Sequence, residues 1–324
     1  MADRPKLLIT RQVFPEVIDH LSPHFDIVSN QADDEWTPAE LLQRAADRDA
    51  LFVVSSDRVD RALIDACPRL KMIATGSVGY NHIDLRACAE RGIGVSNTPD
   101  VLTEATADMA WALLMATARR ICESEHWLRA GHWQRWAFDQ FLGADVHGAT
   151  LGIIGMGRIG SAVARRARGF DMKLLYANRS RAANEAELGA RFVGKDELLR
   201  EADHVVLVLP YSPQTHHTIG ARELALMKPT ATLINIARGG IIDDAALVQA
   251  LRAGRIGGAG LDVYENEPAL DPGLLDVPNV VLTPHIGSAT RSSRVGMAML
   301  AARNLVAFAA GRPLPTPVAT GAAA

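Results

Sequence analysis

The 324-residue sequence has few cysteines and little net charge, and both shortages exclude whole classes of protein. Its three cysteines, Cys67, Cys88 and Cys122, are scattered and odd in number, which argues against a disulfide framework or a zinc site. We therefore expect reduced thiols and a cytoplasmic location. The net charge of −3 gives no electrostatic reason to expect nucleic acid or an anionic membrane as a partner.

Long hydrophobic runs are also missing. The most apolar stretch, residues 109–118, is too short and too interrupted to cross a bilayer, so we expect a buried helix there. The opening residues, MADRPKLLIT, carry an acid early and have no long apolar core, which predicts that there is no signal peptide. The overall composition is typical of a soluble globular protein, and the length allows two domains.

A glycine motif in the middle of the chain is the strongest local signal. The sequence LGIIGMGRIG places Gly155, Gly157 and Gly160 in G-x-G-x-x-G spacing, between an apolar run and a helix-forming segment. The first glycine permits a tight turn, the second lets a pyrophosphate approach the backbone, and the third lets helix and strand pack closely. A helix N-terminus then faces the phosphates. The motif predicts dinucleotide binding, and an ordinary glycine-rich turn is the alternative.

Short apolar runs alternate with helical segments on both sides of this motif. We predict strands at residues 6–10, 26–29, 50–55, 71–75 and 92–100, and later at 151–154, 173–176, 191–193, 204–209, 232–236, 258–261 and 280–282. Such alternation predicts parallel sheets covered by helices on both faces. The fold class is therefore α/β, with two doubly wound domains, a Rossmann-type nucleotide domain and a flavodoxin-like substrate domain, separated by a cleft.

The domain boundaries follow from the two longest predicted helices. One helix is predicted over residues 103–127, and another over residues 297–310 is expected to return to the first domain. We predict a discontinuous substrate domain, residues 1–100 plus 289–324, and a dinucleotide-binding domain, residues 101–288. An arm near residues 120–148 carries Trp133, Trp136, Phe138 and Phe141. It is either a packed irregular segment or a homodimer contact, and aromatic enrichment favours the contact.

The residues after the second strand of the nucleotide domain predict the cofactor. An NAD site has an acidic residue there, whereas this chain has Asn178, Arg179, Ser180 and Arg181, with no acid before Glu185. Two guanidinium groups without a carboxylate favour the 2′-phosphate of NADPH. NADH remains possible, because both arginines could instead be solvated loop residues.

Three later polar residues each follow a predicted strand, where ligands bind in open parallel sheets. They are Arg238, Glu267 and His285. Reduction of a carbonyl by hydride transfer needs a proton donor and a cation near the oxygen, and a carboxylate can orient the donor. Alone, each could be a surface or capping residue. We predict no metal site, because the adjacent His216 and His217 should point apart on a strand.

Together, these motifs make the chain resemble the D-isomer-specific 2-hydroxyacid dehydrogenase family, within its glyoxylate/hydroxypyruvate/2-ketogluconate reductase branch. The matching segments are TGSVGYNHIDL (75–85), NTPDVLTEATAD (97–108), LGIIGMGRIG (151–160), NIARGGIID (235–243), GAGLDVYENEP (258–268) and TPHIGSAT (283–290).

The resemblance implies a homodimer with catalysis in the cleft between its two domains. In such an enzyme Arg238 binds the substrate carbonyl and carboxylate, His285 is the acid–base and substrate-contacting residue, and Glu267 orients His285. Val78 and Gly79 offer backbone N–H groups to the carboxylate. The cofactor is lined by Thr106, Arg158, Ile159, Pro210, Thr215, Ala237, Asp262 and Gly287. Members differ around residues 55–57, so the substrate does not follow from the family.

The sequence thus predicts an NADPH-preferring reductase of small 2-oxoacids, such as glyoxylate and hydroxypyruvate, to D-2-hydroxyacids. One alternative is a dehydrogenase of 2-ketogluconate or another larger substrate. A second is a non-catalytic, NAD(P)-sensing protein similar to a corepressor.

Overall fold

The computed structural model describes residues 4–319 and divides the chain into two compact units. One unit contains residues 4–102 and 290–319, and the other contains residues 103–289. Each unit is built on one parallel sheet. The predicted pair of parallel-sheet α/β domains is confirmed. Within residues 4–319, none of the helices has the length and apolar character that crossing a membrane requires.

The first unit has a five-stranded sheet in the order β2-β1-β3-β4-β5. Its strands are β1 (Lys6–Ile9), β2 (Asp26–Ser29), β3 (Ala50–Val53), β4 (Met72–Thr75) and β5 (Gly94–Ser96). The helices that connect them are α1 (Pro15–Leu21), α2 (Pro38–Ala45), α3 (Arg61–Ala66) and α4 (Leu85–Glu90). Strand β5 covers only three residues of the predicted segment 92–100.

Both faces of this sheet are buried, which explains its continuous apolar runs. Successive strand residues point to opposite faces, so Leu7 and Ile9 pack on one side while Leu8 packs on the other. The last helix, α12 (Arg291–Ala309), places Ala301 and Leu305 in the cluster with Leu7 and Ile9. It begins six residues earlier than predicted, because the Thr290 side chain caps its N-terminus by accepting from the Ser293 N–H at 3.2 Å.

The second unit has a seven-stranded parallel sheet in the order β12-β11-β10-β9-β6-β7-β8. Its strands are β6 (Thr150–Ile154), β7 (Lys173–Ala177), β8 (Ala190–Phe192), β9 (His204–Leu207), β10 (Thr232–Asn235), β11 (Gly258–Leu261) and β12 (Val280–Leu282). Its helices are α5 (Thr103–Ala118), α6 (Ile121–Arg129), α7 (Arg158–Ala167), α8 (Glu185–Leu188), α9 (Lys195–Glu201), α10 (Ala221–Leu226) and α11 (Asp244–Arg252).

Helix α5 lies against β10 and β11 at short range. A Cβ atom at Gly260 would lie 2.8 Å from the Thr117 hydroxyl and 3.1 Å from the Leu113 Cβ, so only glycine fits under this helix. The buried helix predicted at residues 109–118 therefore exists, and the glycines of β11 explain how it approaches the sheet.

The prediction of a single helix over residues 103–127 is wrong. Helix α5 ends at Ala118, and Arg120 adopts a positive φ of 52° before α6 begins. The carbonyl oxygen of Ala118 accepts a hydrogen bond from the Ala144 N–H at 2.8 Å, and a Cβ at Gly143 would lie only 2.2 Å from that oxygen. A distant segment thus takes the carbonyl that a continuing helix would use.

Candidate active site

The glycine turn joins β6 to α7. Gly155 has a φ of +99°, and a Cβ there would lie 2.7 Å from the Val208 carbonyl, so the turn needs glycine on both grounds. A Cβ at Gly160 would lie 2.5 Å from the Gly155 oxygen, which explains the tight start of the helix. At Gly157 a Cβ would contact nothing within 4 Å, so this side of the turn is open to a phosphate.

The polar residues that follow β7 have different surroundings. The Asn178 side-chain oxygen accepts from the Met156 N–H at 2.7 Å, and its amide donates to the Met156 carbonyl at 3.3 Å. Asn178 therefore braces the glycine turn. Arg179 and Ser180 are exposed, whereas Arg181 forms an ion pair with Glu185 at 2.6 Å. Of the two arginines, Arg181 has its charge partly neutralised.

Thr215 and Asp262, two residues that the resemblance places beside the cofactor, are themselves held by hydrogen bonds. The Thr215 hydroxyl donates to the Pro210 carbonyl at 2.9 Å, which closes the loop after β9. The buried Asp262 carboxylate accepts from the Ile286 and Gly287 N–H groups at 2.8 and 2.7 Å. These bonds fix the loop that contains His285.

The remaining predicted cofactor residues lie on the same unit. Arg158 and Ile159 open α7, Ala237 follows β10 with its N–H bonded to the Asn235 side chain at 3.0 Å, and Thr106 lies on α5. A Cβ at Gly287 would lie 3.7 Å from the Thr106 methyl group, so these two residues are neighbours.

Arg238, Glu267 and His285 follow β10, β11 and β12, three strands that are adjacent in the sheet. The Nδ1 atom of His285 lies 2.7 Å from the Glu267 Oε2 atom. The other Glu267 oxygen accepts from the Tyr264 N–H at 2.8 Å, so both carboxylate oxygens are engaged. The His285 backbone is held as well, since its N–H donates to the Asp262 carbonyl at 2.9 Å.

The electrostatics link Glu267 to both Arg238 and His285. Burial raises the pKa of Glu267, but the His285 hydrogen bond and charge, the Tyr264 N–H and the Arg238 charge outweigh burial and leave that pKa below its usual value. Burial lowers the pKa of Arg238, and the Glu267 charge opposes this shift. Glu267 is thus an anion held between a guanidinium and an imidazole.

Val78 and Gly79 lie on the first unit, in the loop after β4. The Val78 carbonyl accepts from the Asn97 amide at 2.8 Å, and the Gly79 carbonyl accepts from the Ser77 hydroxyl at 2.6 Å. The Val78 carbonyl shares its planar peptide group with the Gly79 N–H, so the direction of that N–H is fixed as well. The Ser77 carbonyl accepts from the Thr98 N–H at 3.0 Å and fixes the Val78 N–H in the same way. Ser77 and Asn97 are not among the predicted site residues, although both lie in the quoted motifs.

The His216–His217 pair does not have the predicted geometry. The two residues lie in a loop, His217 has a φ of +48°, and their rings stack with centroids 3.8 Å apart and planes inclined by 23°. Their ligand atoms and those of Glu265 lie within 4.8 Å of one another, the one such group of three in the described residues 4–319. Near-parallel rings direct their nitrogen lone pairs along separate planes, and the absence of a metal site here stays a prediction.

Comparisons with known proteins agree on one family. The model of the D-isomer specific 2-hydroxyacid dehydrogenase NAD binding domain matches residues 111–287. A glyoxylate reductase of Thermococcus onnurineus is 51% identical over 318 residues, which cover 97% of this chain and 95% of that protein.

Two solved structures extend this agreement to the fold. A glyoxylate reductase from Paecilomyes thermophila superposes with a TM-score of 0.89 at 36% identity, covering 98% of this chain and 99% of its own. An NADPH-dependent glyoxylate/hydroxypyruvate reductase from Sinorhizobium meliloti, in complex with NADP and malonate, superposes with a TM-score of 0.87 at 36% identity. The match covers 98% of both chains. The chain therefore belongs to the D-isomer-specific 2-hydroxyacid dehydrogenase family and is an NAD(P)-dependent oxidoreductase of 2-hydroxyacids.

Proposed function

We propose that this enzyme is an NADPH-preferring reductase that converts small 2-oxoacids, glyoxylate and hydroxypyruvate first among them, into D-2-hydroxyacids. The observation that carries the proposal is the 2.7 Å contact between His285 Nδ1 and Glu267. Because Nδ1 faces the carboxylate, Nε2 is the nitrogen that remains to protonate a substrate oxygen. The reduced nicotinamide, when bound, supplies the hydride for the carbonyl carbon.

Arg238 binds the substrate in this proposal. Its guanidinium offers several donors in one plane, which suits an oxygen of the carbonyl together with the carboxylate. It also stabilises the negative charge that develops on the carbonyl oxygen before His285 delivers the proton. Val78 and Gly79 donate backbone N–H groups to the substrate carboxylate from a loop whose carbonyls are already bonded.

The cofactor is bound by the second unit. The open side of Gly157 and the first turn of α7 suit the pyrophosphate, and the residues named above on α5 and in the loops after β9, β10, β11 and β12 line the rest. Arg179 and Ser180 contact the 2′-phosphate, with Arg181 as a weaker contributor because Glu185 shares its charge. The prediction of NADPH over NADH rests on Arg179, and NADH is the secondary cofactor.

A homodimer that places the aromatic arm at its interface is part of the proposal. Trp136 and Phe138 are 66% and 88% exposed, and their rings pack edge to face with centroids 4.5 Å apart. Large aromatic side chains left this exposed are typical of protein interfaces. We also propose a cytoplasmic location, because Cys67, Cys88 and Cys122 are all free thiols.

The proposal is tested by steady-state kinetics on a panel of 2-oxoacids with both nicotinamides. We expect the highest kcat/KM for glyoxylate or hydroxypyruvate with NADPH. A higher kcat/KM for 2-ketogluconate or an aromatic 2-oxoacid would assign a larger substrate. Tight cofactor binding without turnover of any oxoacid would instead indicate a cofactor-sensing protein.

A further inference from the structure

We propose that His217 is a positioning residue that connects the loop carrying Arg238 to the loop carrying Glu267. It thereby sets the spacing between the substrate-binding guanidinium and the acid–base pair. The inference rests on the roles proposed for Arg238, Glu267 and His285.

The backbone of His217 holds the arginine loop. Its N–H donates to the Gly240 carbonyl at 2.8 Å, and Gly240 stands two residues after Arg238. His217 makes this bond with a φ of +48°, a conformation that costs energy for a residue with a Cβ and that clusters at functional sites. The loop between β9 and α10 is thus bent toward the arginine loop.

The side chain of His217 holds the glutamate loop. Its Nε2 atom lies 3.3 and 3.4 Å from the two carboxylate oxygens of Glu265, two residues before Glu267. The Glu265 N–H in turn donates to the Asp244 carboxylate at 2.9 Å. Side chain and backbone of His217 therefore reach both catalytic loops at once.

The two loops are in direct contact, so a small shift of either loop changes the spacing between them. A Cβ at Gly239 would lie only 1.6 Å from the Tyr264 carbonyl oxygen, so the arginine loop lies against the backbone of the glutamate loop. Tyr264 also donates its N–H to Glu267. A shift in this contact moves Glu267 relative to Arg238, and a misplacement of about 1 Å at a reacting site costs roughly 100-fold in rate.

His216 is a natural control because it differs from His217 in these contacts. Its ring stacks on that of His217, is exposed, and has Nδ1 3.3 Å from the Tyr211 hydroxyl. It has no hydrogen bond to Glu265 among the described residues. Removing it should leave the bridge between the catalytic loops in place.

The experiment compares His217→Asn, Glu265→Ala, their double variant, Glu265→Gln and His216→Ala. Asparagine tolerates the positive φ, and its shorter side chain does not reach Glu265; glutamine at 265 keeps an oxygen acceptor. The measurements are kcat and KM for glyoxylate, the Kd of NADPH by fluorescence, and Tm.

We expect His217→Asn and Glu265→Ala each to lower kcat/KM by about 10- to 100-fold, chiefly through kcat, with the NADPH Kd within about twofold. The double variant should be little worse than either single variant, because both remove one shared contact. Glu265→Gln and His216→Ala should stay within about threefold of the wild type.

The inference would be overturned if the losses of kcat/KM in the two single variants added up in the double variant. It would also be overturned if the single variants turned over glyoxylate as the wild type does. A fall in Tm below the assay temperature that accounts for the lost activity would overturn it as well. Arg238→Ala and Glu267→Ala are measured in parallel. If these two retain wild-type turnover, the proposed catalytic roles fail, whereas losses in these two alone would reject only the role of His217.

Discussion

His285 and Glu267 stand eighteen residues apart in the chain, yet the imidazole Nδ1 lies 2.7 Å from the glutamate carboxylate. The contact joins the loops after two adjacent strands, β11 and β12, whose carboxyl ends meet at the same sheet edge. Glu267 is anionic at neutral pH, because its pKa lies below its usual value. A fixed anion on one ring nitrogen orients the other toward a substrate.

His285→Ala should lower kcat by about 10²- to 10⁴-fold, because the carbonyl oxygen loses its proton donor. The NADPH Kd should not change, since the glycine turn lies after a different strand. Steady-state rates at saturating glyoxylate, together with a fluorescence titration of NADPH, measure both quantities. Wild-type turnover by this variant would remove His285 from the mechanism.

Arg238→Ala should raise the KM for glyoxylate and lower kcat together, because the guanidinium binds both the ground state and the transition state. Arg238→Lys should recover only part of the loss, since an ammonium keeps the charge but not the planar pair of donors. Initial rates over a range of glyoxylate concentrations separate the two parameters. A normal KM in Arg238→Ala would place the carboxylate elsewhere.

Arg179→Ala should lower kcat/KM with NADPH by about tenfold or more and leave kcat/KM with NADH nearly unchanged. The loss corresponds to one charge-assisted hydrogen bond to the 2′-phosphate. The exposed Arg200 on α9 supplies a charge-matched control, and Arg200→Ala should not change the ratio. The prediction fails if the wild type already prefers NADH by tenfold.

Asp244→Asn should stabilise the protein at neutral pH but not in acid. Burial, with a further contribution from the charges of Glu265, Asp271 and Asp243, raises the pKa of Asp244 to about 6, although its bond from the Glu265 N–H opposes the shift. A raised carboxyl pKa means that the folded state favours the neutral acid. The stability that Asp244 contributes is therefore present in full below about pH 4 and lost as pH rises through about 6.

Asparagine at 244 does not ionise, so the free energy of unfolding of the variant should exceed that of the wild type by about 3 kcal/mol at pH 8 and nearly match it at pH 4. Urea titrations at pH 4, 6 and 8 measure the difference. Asp65→Asn, at an exposed position of α3, should show no such pH-dependent gain. An equal effect of Asp244→Asn at every pH would contradict the pKa argument.

Most of the fold could be predicted, because its signals are local. Strands buried on both faces appear as short apolar runs, and the G-x-G-x-x-G spacing marks the turn between β6 and α7. The positions of Arg238, Glu267 and His285 after three strands were also evident, since adjacent parallel strands end at one edge. Their roles stay predictions.

Other features depend on residues that are distant in the chain. The end of α5 is decided by the Ala144 N–H, which bonds the Ala118 carbonyl. Asn178 stays a predicted cofactor residue, but its two hydrogen bonds to Met156 in the glycine turn could not be predicted. The two adjacent histidines stack because a positive φ at His217 turns the chain toward Gly240.

The sequence by itself determined the parallel-sheet architecture, the glycine turn and the strand ends that carry polar residues, because hydrophobic period and turn chemistry act over a few neighbouring residues. Only the tertiary structure decided which of those residues touch. The His285–Glu267 pair, the bracing of the turn by Asn178 and the bridge through His217 each join segments that different strands deliver to one sheet edge. Differences of a few tenths of an ångström in the distances between such segments are set by packing, which no local pattern encodes.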